Sequence, residues 1–210
     1  MCDHHHHGGS CAHEHTEEPE KERGAEYSLY QYIDTGGLTC LNERGSGTVA
    51  KVFKPWDQRL DRTAVVESDT DEQLIIHIPF TASIKLKAIN IIGGADGTSP
   101  GKLKAWINRE DIDFSSVDDV APTQEWELSE NPQGEIEYPT RITKFQNVTS
   151  LTLYIPENFG AERTIISYIG LKGEFKTLSR KAVNVTYESA AQLKDHKVPE
   201  SEQMARHIGQ

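Results

Sequence analysis

No run of about 18 apolar residues occurs anywhere in the chain, so a membrane-spanning helix is not expected. The first 20 residues carry histidines and acids where a secretory leader needs an apolar stretch, which argues against a Sec-type secreted protein. Cysteine is scarce: Cys2, Cys11 and Cys40 make no CxxC pair and no metal-ligand quartet. An odd count without a secretion signal reads as free thiols in a reducing compartment, cytosol or nucleus. In that setting Asn147-Val148-Thr149 and Asn184-Val185-Thr186 are strand residues rather than glycosylation sites. Basic residues also fall short, 22 against 33 acids for a net charge of −11, and no basic stripe gathers them. Contact with nucleic acid or with a membrane is therefore not expected.

With 210 residues, 36% of them hydrophobic, the chain suits one domain with tails. Residues 1–26 hold six of the nine histidines, seven acids and two bases, and no aliphatic side chain larger than alanine apart from Met1. Such a segment cannot bury enough apolar area to offset the entropy of ordering it and is expected to be a disordered tail. Residues 188–210 read as a second flexible tail, and the charge divides as −5 for 1–26, −5 for 27–187 and −1 for 188–210.

Between the tails, Leu29, Tyr30, Tyr32 and Ile33 follow the helical period until Gly36-Gly37, predicting a short helix. Strand signals then recur. Leu74 to Ile78 ends at Pro79, and Ile84 to Ile91 alternates with period two before Gly93-Gly94. Leu103 to Asn108, Glu125 to Leu128, Arg141 to Phe145, Leu151 to Ile155, Thr164 to Leu171 and Ala182 to Tyr187 continue the series. Short strands without a long helical pattern predict an all-β antiparallel sandwich or barrel.

Motifs for catalysis do not assemble. Gly93 to Lys102 lacks P-loop spacing, since position 96 is Asp and position 103 is Leu, and Asp96-Gly97 reads as a bend between strands. The acids at Glu67, Asp69, Asp71 and Glu72, and at Glu110, Asp111, Asp113, Asp118 and Asp119, lack the EF-hand glycine and read as solvated loops. His77 is the one histidine in the expected fold, placed as a satisfied core or edge residue, and Cys40 reads as a buried thiol. A serine-hydrolase triad or a cupin-type metal site would need more histidines than this. In the N-terminal tail, His4, His5, His6, His7, His13 and His15 offer imidazoles that bind Zn or Ni weakly and without fixed geometry. Vector-derived sequence also gives four histidines in a row, although His13 and His15 lie beyond such a run. No cofactor is expected to be required.

Read in order, Val52-Phe53-Lys54-Pro55-Trp56, the Val66 to Phe80 block with Glu67-Ser68-Asp69 and Ile78-Pro79-Phe80, Phe145-Gln146-Asn147-Val148, and Tyr168-Ile169-Gly170 with Gly173-Glu174-Phe175 resemble the PITH (proteasome-interacting thioredoxin) domain. The resemblance spans roughly residues 27–187. It implies a jelly-roll β-sandwich of the galactose-binding-like kind, in a cytoplasmic and nuclear protein that associates with the 26S proteasome regulatory particle. No Trp-Cys-x-x-Cys is present, so disulfide reductase activity is not implied.

Within that frame Ile75 or Ile76, Ile78, Phe80, Leu86 and Ile89 are expected in the core, and Gly170 and Gly173 at bends or close backbone approaches. Lys54, Pro55 and Trp56 form a candidate partner-binding set, a tryptophan after a rigid proline, for which capping of the core is an equal alternative. The leading expectation is a monomeric, non-enzymatic binding module of the ubiquitin–proteasome system. The alternative is a jelly roll that binds a carbohydrate or other small ligand on platforms supplied by Trp56, Trp106 and Trp126. His207, in the last residues of the chain, is a candidate ligand for the open zinc position of the proteasome's deubiquitinase, with inhibition of ubiquitin removal as the consequence.

Overall fold

A computed structural model describes residues 27–176. Both expected tails, and the strand expected over 182–187, lie outside the described residues. Eight strands follow one another: β1 Thr39–Leu41, β2 Val66–Glu67, β3 Leu74–Gly93, β4 Lys102–Ile107, β5 Gln124–Glu127, β6 Tyr138–Pro139, β7 Val148–Ile155 and β8 Ile165–Lys176. Every ladder between them is antiparallel, in the order β2-β8-β3-β7-β4-β5, with β1 and β6 also on β3.

β3 organises the fold because it serves two ladders in turn. Its first half, Leu74 to Pro79, lies between β7 and β1, while from Ser83 onward it pairs with β8 and, at Ala88 and Ile89, with β6. The sequence reads as two strands parted at Pro79, yet the strand is continuous over 20 residues. Proline cannot donate to a ladder, so pairing with β7 shifts register between Pro79 and Ile84 instead of the strand ending there. The two halves then enclose one core: Ile76 and Ile78 meet Leu151, Leu153 and Ile155 on one side and Leu86, Ile89, Ile166 and Leu171 on the other. This is the expected all-β jelly-roll sandwich.

Ile75 points the other way. With Trp106 and Tyr154 it forms a second cluster on the outer face of the first half-sheet, covered by Ile112 and Val117 from the segment after β4. Trp106 is fully buried there, and its Nε1 donates to the Val120 carbonyl at 3.0 Å. Phe80, expected in the core, is only partly buried against it.

Two further segments depart from the structure expected of them. The helix over Tyr27 to Ile33 is a single 3-10 turn, Tyr30–Tyr32, flanked by bridges from Ser28 to Lys172 and from Ile33 to Phe80. Backbone partners on β8 and β3 capture the segment before a helix can propagate from its costly first turn. Arg141 to Phe145 is a turn rather than a strand, with Lys144 and Phe145 both donating to the Arg141 carbonyl, and Phe145 inserted into the core. The bend at Asp96-Gly97 is as expected, both residues having positive φ, 55° and 81°.

Candidate functional site

The Lys54-Pro55-Trp56 segment lies on the outer face of the second half-sheet, where Tyr168, Gly170 and Lys172 alternate along β8. Pro55, extended at φ −57° and ψ 153°, directs the chain into a 3-10 turn over Trp56–Gln58. The Trp56 ring stands edge-on to Tyr168 at 6.3 Å, with the Lys172 Nζ 4.2 Å and the Arg59 guanidinium 4.3 Å from its centroid. Two cations thus hold one half-buried indole. Lys172 in turn pairs with Glu137. Burial raises the Tyr168 hydroxyl to about 12, opposed by Arg59. Tyr168 can lie over its strand because position 170 is glycine, where a Cβ would come within 2.6 Å of the tyrosine hydroxyl.

Under this loop three polar atoms are buried without a hydrogen-bond partner: Trp56 Nε1, Arg59 Nε and Asn90 Oδ1. Asn90 is otherwise fixed, its amide donating to the carbonyls of Gly134 and Ile136 at 2.8 Å each.

Lys54 lies differently from Pro55 and Trp56. Only 8% exposed, it turns inward and donates from Nζ to the Asp61 carbonyl at 2.6 Å, closing the loop on itself. Pro55 and Trp56, both half-buried, remain at the surface. His207 and the histidines His4, His5, His6, His7, His13 and His15 lie outside the described residues. Arg59, Lys172 and Asn90 carry no sequence signal of this site, since they come from the loop and from two strands and share no motif.

The acidic stretches are used locally. Glu67 faces Arg44 and Arg163 at 3.1 and 3.2 Å, Asp71 accepts from Asn42 and the Gln73 amide, and Asp113 accepts from Ser115 and Ser116. Arg109 and Asp111 form a two-bond ion pair, and its hydrogen bonds hold the Asp111 carboxyl at about 2. Cys40 is half-buried, and burial, aided by Glu43, pushes its thiol up, so it stays protonated and unreactive. His77 sits on β3 with Nδ1 2.9 Å from the Thr152 hydroxyl. Among the described residues, no group of three histidine, cysteine or carboxylate side chains is placed to hold a metal ion.

Residues 19–191 match the model of the PITH domain. The chain belongs to the PITH domain family. Its PITH domain is similar to PITH domain-containing protein 1 of Dictyostelium discoideum, 52% identical over 174 residues that cover 83% of this chain and 86% of that one. The corresponding protein of Homo sapiens is 43% identical over 198 residues, 92% of this chain and 93% of that one. Among solved structures, the CBM32-1 and CBM32-2 domains of Clostridium perfringens ZmpB in complex with GalNAc align with a TM-score of 0.53 at 12% identity, over 74% of this chain and 38% of that one. That likeness shows the fold of the PITH domain alone.

Proposed function

We propose that the chain is a non-catalytic binding module that docks on the 26S proteasome regulatory particle and restrains deubiquitination there. The observation that carries the docking part is Trp56, a half-buried aromatic side chain whose remaining surface lies between Arg59 and Lys172 over the outer face of β8. Tryptophan and arginine presented on a preorganised support are the residue types that dominate binding energy at protein interfaces. The partner itself comes from the family resemblance. His207 supplies the restraint in this reading: a neutral imidazole from the end of the chain occupies the open position of the deubiquitinase zinc, and protonation below about pH 6 releases it.

A carbohydrate-binding role is less well supported, because the three tryptophans share no rim. Trp56 lies over the second half-sheet, Trp106 is buried beneath the segment after β4, and Trp126 packs against Phe145 with its Nε1 on the Pro139 carbonyl.

Two variants in the full chain test the proposal. Trp56→Ala weakens binding to purified 26S proteasome about tenfold or more while its unfolding transition stays cooperative. His207→Ala leaves binding largely intact and removes the inhibition of ubiquitin release. Equal deubiquitination rates with intact chain, His207→Ala and no added chain would refute the tail mechanism, and unchanged binding by Trp56→Ala would refute the docking surface.

A further inference from the structure

At the kink of β3, away from Trp56, a surface cavity of about 350 Å³ opens between Asp34, Thr39, His77, Pro79 and Glu110. Thr39 on β1, His77 on β3 and Thr152 on β7 stand in one cross-strand row. The buried Thr152 hydroxyl donates to the Arg109 carbonyl at 2.5 Å, which uses its only proton. At 2.9 Å from His77 Nδ1 it must therefore accept, so Nδ1 carries the imidazole proton and Nε2 carries the lone pair.

Two carboxylates line the same cavity. Asp34 is fixed by its amide, which donates to the Pro79 carbonyl at 2.9 Å, and its Oδ1 accepts from the Gly36 amide at 3.2 Å. Gly37 allows this closure, since a Cβ there would lie 2.8 Å from the Pro79 ring and 3.2 Å from Asp34 Oδ2. Glu110 follows Arg109, whose guanidinium is taken by Asp111. Among the described residues neither Asp34 nor Glu110 is in an ion pair, and no lysine or arginine lines the cavity. Three acceptors thus face one space with a formal charge of −2 and no internal cation. They do not converge closely enough to hold a metal ion. A planar cation with several N–H donors fits such dispersed acceptors better than a point charge does.

We infer that this cavity is a binding site for a basic side chain of a partner protein, arginine in the first place, with the guanidinium shared among Asp34, Glu110 and His77 Nε2 and its methylene stem along Pro79. A cavity of this volume lies in the range of small-ligand sites and admits such a side chain. The inference stands whether or not the partner is the proteasome.

The test is a titration of the full chain with Nα-acetyl-arginine methylamide, followed by the ring nitrogen and carbon resonances of His77, assigned by their loss in His77→Gln. Expected is a saturable shift of Nε2. It weakens about tenfold or more for the isosteric, uncharged citrulline derivative and severalfold for the lysine derivative. Asp34→Asn and Glu110→Gln, which retain the local hydrogen-bonding atoms, each weaken it. Absence of a saturable shift, equal binding of citrulline, or undiminished binding by the doubly substituted chain would overturn the assignment. A shift produced by galactose but not by arginine would overturn it equally.

Discussion

The hydroxyl of Thr152 fixes the tautomer of His77, because its single proton is committed to the Arg109 carbonyl and its lone pair is left for Nδ1. Burial lowers the His77 pKa from its ordinary 6.5, with Glu110 acting in the opposite direction. The unfolded chain therefore takes up this proton at a higher pH than the folded one. Between the lowered folded value and about 6.5 the unfolded state binds more protons, so His77 makes stability rise with pH, and fall on acidification through that window. Denaturant unfolding at a series of pH values should show this slope reduced in His77→Gln. Histidine NMR should show a neutral ring protonated at Nδ1 at pH 7, and Thr152→Val should change that tautomer balance.

Gly173→Ala should destabilise the fold by about 1–3 kcal/mol, as overpacking does. A Cβ at 173 would lie 2.1 Å from the Lys85 carbonyl oxygen across the β3–β8 ladder, where backbone cannot yield as a side-chain tip can. Chemical denaturation with an unchanged slope on denaturant concentration checks it.

Lys54→Met should cost about 1.5–3 kcal/mol of stability, since it removes the charged donor from the Asp61 carbonyl inside the loop. Where the variant is folded, its affinity for the partner should follow the position of Trp56 rather than the lost charge. A large loss of partner binding with Trp56 fluorescence unchanged would return Lys54 to the interface.

Chelation should leave the folded core unaltered, because the imidazoles expected to take up Zn or Ni precede its first strand. Thermal unfolding with and without EDTA should superimpose, and a lowered transition would identify a structural metal.

How far the fold was legible depends on which interactions are local. The apolar positions Ile84, Leu86, Ile89 and Ile91 and the close approach at Gly173 could be read from residue type, although a register shift between Leu86 and Ala88 breaks the expected period-two burial. The continuity of β3 through Pro79 could not, because a proline ends or only kinks a strand according to what pairs on either side. Helical spacing at Leu29 to Ile33 misled for a similar reason: the partners that override it lie on β8 and β3, far away in sequence. At the candidate site the proline-stiffened approach to Trp56 was legible. Its cationic neighbours Arg59 and Lys172 were not, and the inward turn of Lys54 depends on a carbonyl seven residues on.

The role proposed for the chain is that of a proteasome-binding module. The most direct test is quantitative affinity purification of the full chain from cell lysate at moderate salt, against a control protein of matched size and net charge. Regulatory-particle subunits should be enriched over the control, with the enrichment lost in Trp56→Ala and retained in Lys54→Met. Regulatory-particle subunits recovered equally with the chain and with the control would contradict it.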